Sequence, residues 1–228
     1  MRIVNFNIRF GGQKRTPEII NYLISNDFDL IILTEFIEND NGYDINNSLS
    51  NQGFHTQASN EDGGYGSFIA SKYDFLTKSL EDRWVEVYIP NMDLHVLGVY
   101  VPDQPGAMKN TFWQKILEYA AANKNKNLLI TGDFNSCTKD DSSNGTEYYA
   151  KELKKLEELE YCDLWKVYTK DESDRYTWFY HSGDGFRLDY AFFSPQLAQS
   201  LDEVTVWHES GVRENKVSDH SPQCIVWK

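Results

Sequence analysis

The order of strands and helices along the sequence predicts an α/β fold of four layers, in which two packed mixed β-sheets are flanked by helices. A β-α-β pattern followed by hairpins opens the chain, and an α-β-α pattern followed by more hairpins completes it. These two similar halves can bury their apolar faces if their sheets pack face to face with helices outside. A chain of 228 residues is long enough to bury such a core. We therefore expect a single domain over residues 1–228.

The first half begins with a strand, a helix and a second strand. Residues 2–8 alternate between apolar and polar side chains, which is typical of a strand. Thr16 is a good N-cap for the next helix because a proline and then a glutamate follow it. Residues 29–33 are apolar enough for a buried strand, and Glu35 comes just after it. Residues 38–53 are rich in Asn, Asp, Gly and Ser, so we expect a long loop there.

Periodicity predicts the remaining elements. Apolar residues at helical spacing indicate two more helices, at residues 108–122 and 146–160. Alternating or short apolar runs bounded by turn residues predict strands at 54–58, 66–71, 84–89, 94–101, 128–130, 176–180, 188–193, 204–208 and 223–227.

The charge balance restricts the class of substrate. The chain has 35 acidic residues against 22 lysines and arginines, for a net charge of −13. A protein that gains its affinity from many phosphate contacts should carry a basic face. The balance therefore argues against tight, non-specific binding of duplex DNA. It fits a small anionic substrate, or a nucleic acid that is bound through a metal and a few local contacts.

Targeting and cysteine signals are sparse. The sequence has no apolar run of transmembrane length, and a predicted strand follows Met1 directly in place of a signal peptide. Cys137, Cys162 and Cys224 are few and widely spaced, which argues against a disulfide framework or a cysteine metal site. We expect a soluble cytoplasmic protein with no membrane span.

The segment Leu128–Asn135 ends a buried strand with two polar side chains. Asp133 and Asn135 are two positions apart, so on extended backbone they face the same side. A carboxylate and an amide at one spot suit in-line attack on a phosphoryl group. The alternative is an ordinary Gly-Asp-x-Asn turn, which this segment alone does not exclude.

Other polar residues follow predicted strands in the same way, and strand ends are where layered α/β folds build sites. Glu35 lies at the rim of the core, although a solvated loop acid is an equal alternative. Asn7 and Tyr100 occupy comparable positions, with a structural asparagine and a packed ring as their simplest interpretations.

Asp189 and Asp219, in the last quarter of the chain, are acids for which His220 is a candidate hydrogen-bond partner or neighbour in the site. Asp219 and His220 precede the last strand, where they suit a metal ligand and a phosphate contact, or else a plain turn. Asp189 is the one acid in an apolar strand, and a histidine N–H would satisfy it and orient the ring. Arg187 is two residues earlier and is also a candidate for an ion pair with Asp189.

The donor types favour one kind of chemistry. No Gly-x-Ser-x-Gly elbow is present, and the adjacent Ser218, Asp219 and His220 cannot form a catalytic relay, so the pattern argues against a serine nucleophile. Oxygen donors dominate, which favours Mg²⁺ or Mn²⁺ over zinc. These donors are Asn7, Glu35, Asp133, Asn135 and Asp219.

Six short motifs together resemble the endonuclease/exonuclease/phosphatase superfamily, which has the deoxyribonuclease-I-like fold, over essentially the whole chain. The closest resemblance is to its exonuclease III and abasic-site endonuclease branch, which has a tyrosine where Tyr100 stands. The motifs are Asn5-Phe6-Asn7-Ile8, Leu33-Thr34-Glu35, Tyr100-Val101-Pro102, Gly132-Asp133-Phe134-Asn135, Gly185-Phe186-Arg187-Leu188-Asp189-Tyr190 and Ser218-Asp219-His220.

The resemblance implies a role for each matching residue. Glu35, Asn7 and Asp219 would bind the divalent metal. Asp133 would orient or deprotonate the attacking water. The remaining roles are a phosphate contact by Asn135, charge stabilisation by His220 aligned by Asp189, assistance to the phosphate or leaving oxygen by Tyr100, and substrate contacts by Arg9 and Arg187.

The chain departs from that branch after its first motif. It reads Arg9-Phe10-Gly11-Gly12 where the branch has an Asp or Asn followed by a Gly-Leu-Arg-Ala-like segment. We expect a Mg²⁺-dependent phosphodiesterase, first of all a DNA nuclease of the exonuclease III type that acts in DNA repair. The alternatives are hydrolysis of a small-molecule or lipid-linked phosphoester, and an inactive binding module with the same fold.

Overall fold

Two six-stranded mixed sheets pack against each other with helices on their outer faces, as the sequence predicts. The computed structural model describes residues 1–59, 64–170, 172–201 and 203–228. The strands are β1 Arg2–Asn7, β2 Leu30–Phe36, β3 His55–Ala58, β4 Gly66–Ser71, β5 Leu76–Glu81, β6 Trp84–Ile89, β7 Leu94–Tyr100, β8 Leu128–Asp133, β9 Cys162–Asp163, β10 Trp178–Phe179, β11 Gly185–Phe186, β12 Asp189–Phe193, β13 Val204–His208 and β14 Gln223–Trp227. The helices are α1 Thr16–Ser25, α2 Asp40–Asn51, α3 Ala107–Asn123, α4 Ala150–Glu158, α5 Leu164–Tyr168, α6 Pro195–Ser200 and α7 Ser210–Glu214.

Each large sheet contains one parallel pair of strands among antiparallel neighbours. The first sheet has the order β13-β14-β1-β2-β4-β3, and the second has the order β5-β6-β7-β8-β12-β9. The parallel pairs are β1 with β2 and β7 with β8, joined by α1 and α3 respectively. A separate two-stranded sheet of β10 and β11 lies beside them. The two halves predicted from the sequence thus share one local topology.

Three apolar clusters correspond to the interfaces between the four layers. The central cluster joins both sheets, with Ile3 and Ile32 of the first packed together with Val85 and Leu129 of the second. An outer cluster joins the first sheet to α1 and α2. Another joins the second sheet to α3 and α4. No described helix has the length and apolar character needed to cross a bilayer.

All the predicted strands are present, although the one expected at residues 176–180 is reduced to Trp178–Phe179. The long loop predicted at residues 38–53 is wrong. That segment contains α2, capped by the Asn39 side chain, which accepts a hydrogen bond from the Gly42 N–H at 3.1 Å. Ile45 and Leu49 are buried on one face, against the outer side of the first sheet. Packing of these two residues outweighs the low helix propensity of the Asn, Asp and Ser residues around them.

Several short elements lack a sequence signal. Strand β5 and helices α5, α6 and α7 were not expected, and the helix predicted at residues 146–160 is shorter, because α4 spans Ala150–Glu158. Tyr149 precedes it with a φ of 50°, which no helical residue adopts. Helices of five or six residues offer too few positions for a helical period to be read, and β5 is exposed along most of its length, so it lacks the apolar alternation of a half-buried strand.

Arg187, expected to contact substrate, is fully buried in an ion-pair network. Its guanidinium donates to both oxygens of Asp163, at 2.9 and 2.7 Å, and to Asp141 Oδ1 at 2.7 to 2.8 Å. The rule that residues i and i+2 share a face does not apply to Arg187 and Asp189, because the regular strand begins at Asp189. Arg187 therefore stabilises the fold beneath α5 and contacts no substrate.

We predict that Arg187→Met lowers the free energy of unfolding by about 3–5 kcal/mol, because it leaves two buried carboxylates without their cation. Chemical denaturation measures this change. Lys228→Met is the matched control, since it breaks a solvent-exposed pair with Glu203 and should change nothing measurable. Equal stability of Arg187→Met and the wild type would contradict the prediction.

His208 should make the fold sensitive to acid. Its ring is buried, stacks on Trp165 with centroids 3.8 Å apart, and hydrogen-bonds through Nδ1 to the Asp174 carbonyl at 2.8 Å. Burial lowers the pKa of His208 from 6.5 to about 3. Below pH 6.5 His208 binds a proton in the unfolded chain but stays neutral in the folded chain. Its contribution to the free energy of unfolding is therefore complete above that pH and is lost as the pH falls.

We expect His208→Phe to remove this dependence while it keeps a flat ring against Trp165. Between pH 7 and pH 4 the wild type should lose on the order of 3 kcal/mol more stability than the variant. Urea unfolding at both pH values gives the comparison. Parallel losses in the two proteins would show that His208 does not carry the effect.

Candidate active site

Three of the expected site residues lie side by side on adjacent strands of the second sheet. Tyr100 on β7 is the register partner of Asp133 on the parallel β8, and Asp189 on β12 is the register partner of Asp133 on its other side. Register partners point to the same face and are separated by one strand spacing. Strand pairing alone therefore places two carboxylates and a phenol in one row.

The backbone before and after Asp133 adopts conformations that direct the polar groups. Gly132 has a φ of 152°, and a Cβ there would lie 1.8 Å from the Val99 carbonyl oxygen, so no other residue fits. Asn135 has a φ of 45°, and its N–H donates to Asp133 Oδ1 at 2.8 Å. The side-chain amide of Asn135 donates one hydrogen to the Val101 carbonyl at 2.9 Å, which leaves its second hydrogen for another acceptor.

Glu35 is aimed into the site by an irregularity in its strand. The pairing of β2 with β4 shifts register between Thr34 and Phe36, and Glu35 between them has a φ of 56°. Such a bulge redirects a side chain. Its carboxylate accepts hydrogen bonds from the Tyr100 hydroxyl at 3.4 Å and from the Phe10 N–H at 2.7 Å.

Asn7 connects the two sheets at the site. Its Nδ2 donates to Asp133 Oδ2 at 2.9 Å and to Glu35 Oε1 at 3.1 Å. Its Oδ1 already accepts the Arg9 N–H at 2.8 Å. This arrangement differs from the expectation that Asn7 is a metal ligand, because the amide oxygen faces away from the carboxylates. Asn7 holds the two acids in place instead.

His220 and Asp189 form a buried hydrogen-bonded pair. Their Nδ1 and Oδ2 atoms are 2.8 Å apart, and Thr177 Oγ1 accepts the N–H of Asp189 at 3.3 Å. Burial alone would lower the pKa of His220, but Asp189 and Asp133 outweigh it and raise that pKa to about 10. The ring is therefore an imidazolium at neutral pH, with Nε2 as the nitrogen that remains for a substrate.

Burial and the nearby Asp189 raise the pKa of Asp133 to about 7, although His220 acts in the opposite direction. A carboxylate with a pKa near neutral is poised to accept a proton. Tyr100 is buried beside Glu35 and Asp133, and its own burial together with these acids raises its pKa. Its hydroxyl therefore stays protonated and can donate.

Two carboxylates at the site, those of Asp189 and Asp219, each have a shielded oxygen that finds no hydrogen-bond partner among the described residues. Asp219 Oδ2 lies 3.3 Å from Arg9 Nε at the rim of the site. Its Oδ1 is the shielded oxygen. A buried oxygen without a partner is costly unless something positive contacts it. With Glu35, Asp219 offers the carboxylate oxygens that a hard cation such as Mg²⁺ prefers.

A second group of possible ligand atoms lies close by. Asp133, Asp189 and His220 each offer an atom within 4.8 Å of the others. We do not assign the cation to these three alone, because Nδ1 of a charged His220 bears a proton that is bonded to Asp189. Glu35 and Asp219 add two further carboxylates to the lining of the cleft above this group.

The site opens into a cleft of about 710 Å³. Five of the expected residues line it directly, namely Glu35, Tyr100, Asn135, Asp219 and His220. Asn7, Asp133 and Asp189 are buried beneath them and reach the cleft through their hydrogen-bond partners. Of the remaining candidates, Arg187 points elsewhere, and Arg9 is held in its ion pair with Asp219 without lining the cleft.

Lys109 is a site residue that sequence reasoning missed. It is 2% exposed, lines the cleft, and donates through Nζ to the Asn135 carbonyl. Burial lowers the pKa of Lys109 to about 8. A signal was present, because Lys109 precedes Trp113, Ile116 and Ala120 at helical spacing and so belongs to the buried face of α3. A lysine on an apolar face indicates a paired or functional group.

Solved structures with the same fold include nucleases and a phosphatase. The 3′ phosphatase NExo from Neisseria, bound to a product DNA hairpin, has a TM-score of 0.81 at 20% identity, covering 100% of this chain and 99% of its own. An AP endonuclease from Archaeoglobus fulgidus has a TM-score of 0.77 at 20% identity, covering 100% and 99%. Truncated TDP2 from Caenorhabditis elegans has a TM-score of 0.68 at 18% identity, covering 99% and 96%.

The sequence itself matches one protein family over nearly its full length. A search of curated proteins returned no match. The model of the Endonuclease/Exonuclease/phosphatase family, by contrast, matches residues 4–220, which include every candidate residue above. This chain therefore belongs to the Endonuclease/Exonuclease/phosphatase family and is a phosphoester hydrolase.

Proposed function

We propose that this protein is a Mg²⁺-dependent phosphodiesterase that hydrolyses DNA, a nuclease of the exonuclease III and abasic-site endonuclease type. One observation carries the proposal: the buried Asp133, Asp189 and His220 cluster lies beside Glu35 and beneath an open cleft. Such a cluster places a proton acceptor and a positive donor within reach of one phosphate. Enzymes of this family depend on a metal, which agrees with the oxygen donors at the rim.

Glu35 and Asp219 would hold the cation, with Mg²⁺ or Mn²⁺ favoured by their hard oxygens. When bound, the cation neutralises charge on the phosphate oxygens and makes the phosphorus more electrophilic. The Phe10 N–H and the Asn7 amide keep Glu35 in the orientation this requires. Arg9 would move from Asp219 toward the substrate only if that ion pair opened.

Asp133 would orient the attacking water and accept its proton. Its two oxygens are each held by one N–H, from Asn135 and Asn7, so the carboxylate cannot rotate away. A raised pKa makes it a better base than a solvated aspartate. The fixed carboxylate of Asp133 would bind the water, and the free amide hydrogen of Asn135 would bind a phosphate oxygen on the same side of the phosphate.

His220 would stabilise the charge that develops at the phosphate. Asp189 fixes the ring by its bond to Nδ1, which directs the charged Nε2–H to the substrate. The protonated Tyr100 hydroxyl would donate to the phosphate or to the leaving oxygen. Because all of these groups are held before substrate arrives, most of the rate enhancement would come from positioning and charge.

The likeness to a DNA-bound 3′ phosphatase and to an AP endonuclease supports DNA as the substrate and a role in DNA repair. Hydrolysis of a small or lipid-linked phosphoester is the second candidate, which the net charge of −13 favours. We further propose that residues 1–228 act as a single domain, since one core joins both sheets. Cytoplasmic location stays a prediction, in keeping with three cysteines that form no disulfide.

Asp133→Asn should lower kcat by at least about 100-fold, because an amide cannot accept the proton of the water. His220→Gln should have an effect of similar size by removing the positive charge. Asp133→Asn should keep a cooperative melting transition, since it loses the charge that burial disfavours together with one of its two hydrogen-bond acceptors. The control is Asp74→Asn, which alters an exposed acid paired with His55. Full activity in either purified site variant would refute the assignment.

Metal dependence and substrate class can be measured together. We expect hydrolysis to require Mg²⁺ and to stop with EDTA. Glu35→Gln should need about tenfold more Mg²⁺ for half-maximal rate, because one carboxylate oxygen donor is weakened to an amide. The substrates are a duplex with one abasic site, the same duplex intact, and bis-p-nitrophenyl phosphate.

The three substrates separate the candidate functions. Incision at the abasic site, or degradation of the intact duplex, supports the nuclease. Metal-dependent activity on the small diester with both duplexes untouched supports the second candidate. No activity on any of them, with a folded protein and bound Mg²⁺, contradicts the proposal and favours an inactive binding module with the same fold.

A further inference from the structure

One strained segment beside the site has a side chain that the fold does not explain. Residues 9–13 all have positive φ, among them Phe10 at 52°, a conformation that is unfavourable for any residue with a Cβ. The backbone of this turn has a clear purpose, because the N–H groups of Phe10 and Gly11 donate to Glu35 at 2.7 and 2.9 Å. A glycine at position 10 would make the same bond with less strain.

The phenylalanine ring gains little from packing. It is 44% exposed and contacts Tyr65, with centroids 5.8 Å apart, and the Arg9 guanidinium at 5.7 Å. The ring lines the same cleft as Glu35 and His220. A strained residue that keeps a large exposed ring next to catalytic groups indicates a ligand contact.

Further rings line the cleft around it. Tyr148 and Tyr180 are 50% and 48% exposed, and Tyr65 lies beside Phe10. We call Phe10, Tyr65, Tyr148 and Tyr180 the aromatic rim. Flat apolar surfaces that remain half-exposed are suited to stacking against flat ligand groups, and in a nucleic acid these groups are the bases.

The charges of the cleft do not suit a duplex backbone. Four carboxylates line it, from Glu35, Asp103, Asp184 and Asp219. Among the described lining residues the cations other than His220 are Arg83 and Lys109, and the Lys109 ammonium is bound to the Asn135 carbonyl and lies over the Tyr149 ring. Affinity here must therefore come from contacts other than many phosphates.

We infer that the aromatic rim binds unpaired bases, with Phe10 as the principal stacking surface, so that the enzyme prefers single-stranded DNA to a closed duplex. Within a duplex both faces of a base are covered by its neighbours, so a protein ring cannot stack on them. In a single strand the bases can rotate out and expose those faces. This inference rests on the proposed function, since it names the form of DNA that the same site takes.

The test compares three probes that differ in whether bases are present and unpaired. They are a single-stranded oligodeoxynucleotide of about 12 nucleotides, within the span that one single-strand-binding site covers, a hairpin whose stem holds the same sequence paired, and a strand of tetrahydrofuran spacers that keeps the phosphates and lacks the bases. Binding is measured by fluorescence anisotropy with the Asp133→Asn protein in Mg²⁺, and hydrolysis with the wild type. Binding and hydrolysis are thus separate readouts, so absent hydrolysis refutes only the proposed function.

We expect the single strand to bind at least about tenfold more tightly than the hairpin or the spacer strand. This is the gain in affinity expected when one base stacks on an aromatic side chain. In the Asp133→Asn background, Phe10→Leu should remove most of that difference while keeping the N–H bond to Glu35. Tyr43→Leu is the matched control, a ring on α2 that is somewhat more exposed than Phe10 and lies outside the cleft. Equal binding of all three probes, or no effect of Phe10→Leu, overturns the inference.

Two further results decide whether the ring serves binding or folding. With two phosphate contacts, affinity for the single strand should fall about sevenfold between 50 and 200 mM salt, whereas a thousandfold loss would indicate a phosphate-binding surface and overturn the inference.

Phe10→Gly should weaken binding while the melting temperature stays equal or rises, since glycine accepts positive φ. A large fall in melting temperature would assign the ring to the fold.

Discussion

Two carboxylates and an imidazole are buried together where the two sheets meet, and this charged cluster constrains the residues around it. Asp133, Asp189 and His220 have almost no contact with solvent, so each depends on protein partners for its hydrogen bonds. Asn7 reaches across from the first sheet to hold Asp133, and Asp189 holds His220. Ser218 ties the chain before His220 to the end of β1 by donating to the Asn7 carbonyl at 2.7 Å. The cluster therefore couples both sheets to one site.

The cluster exchanges stability for reactivity. Burial beside Asp189 raises the pKa of Asp133, so the ionised form that serves as a base is disfavoured in the folded protein. The same two acids keep His220 charged. One set of groups thus raises both pKa values and produces a base beside a positive donor, a pattern that marks acid and base roles in hydrolytic sites. The network of Arg187, Asp141 and Asp163 is equally buried, but both of its carboxylates accept hydrogen bonds from the guanidinium, which suits a structural role.

Backbone geometry, more than side-chain identity, separates this site from a generic strand edge. Glu35, Asn135 and Phe10 all have positive φ, and each of these turns directs a hydrogen bond or a side chain toward the cleft. Strain of this kind persists where the surrounding fold enforces it. Low identity to the solved structures, 20% or less for those described above, is compatible with a shared fold because the register of β7, β8 and β12 positions the site residues.

The sequence by itself determined the four-layer class, the position of most strands along the chain and the set of polar residues at strand ends, because these depend on local periodicity and on short motifs. Tertiary structure alone decided the rest. Arg187 pairs with acids 24 and 46 residues away, a distance over which no local pattern carries information. The bulge at Glu35 and the burial of α2 likewise depend on neighbouring strands. Whether Asn7 turns its nitrogen or its oxygen to the carboxylates was settled only when both sheets came together, because its partners belong to each of them.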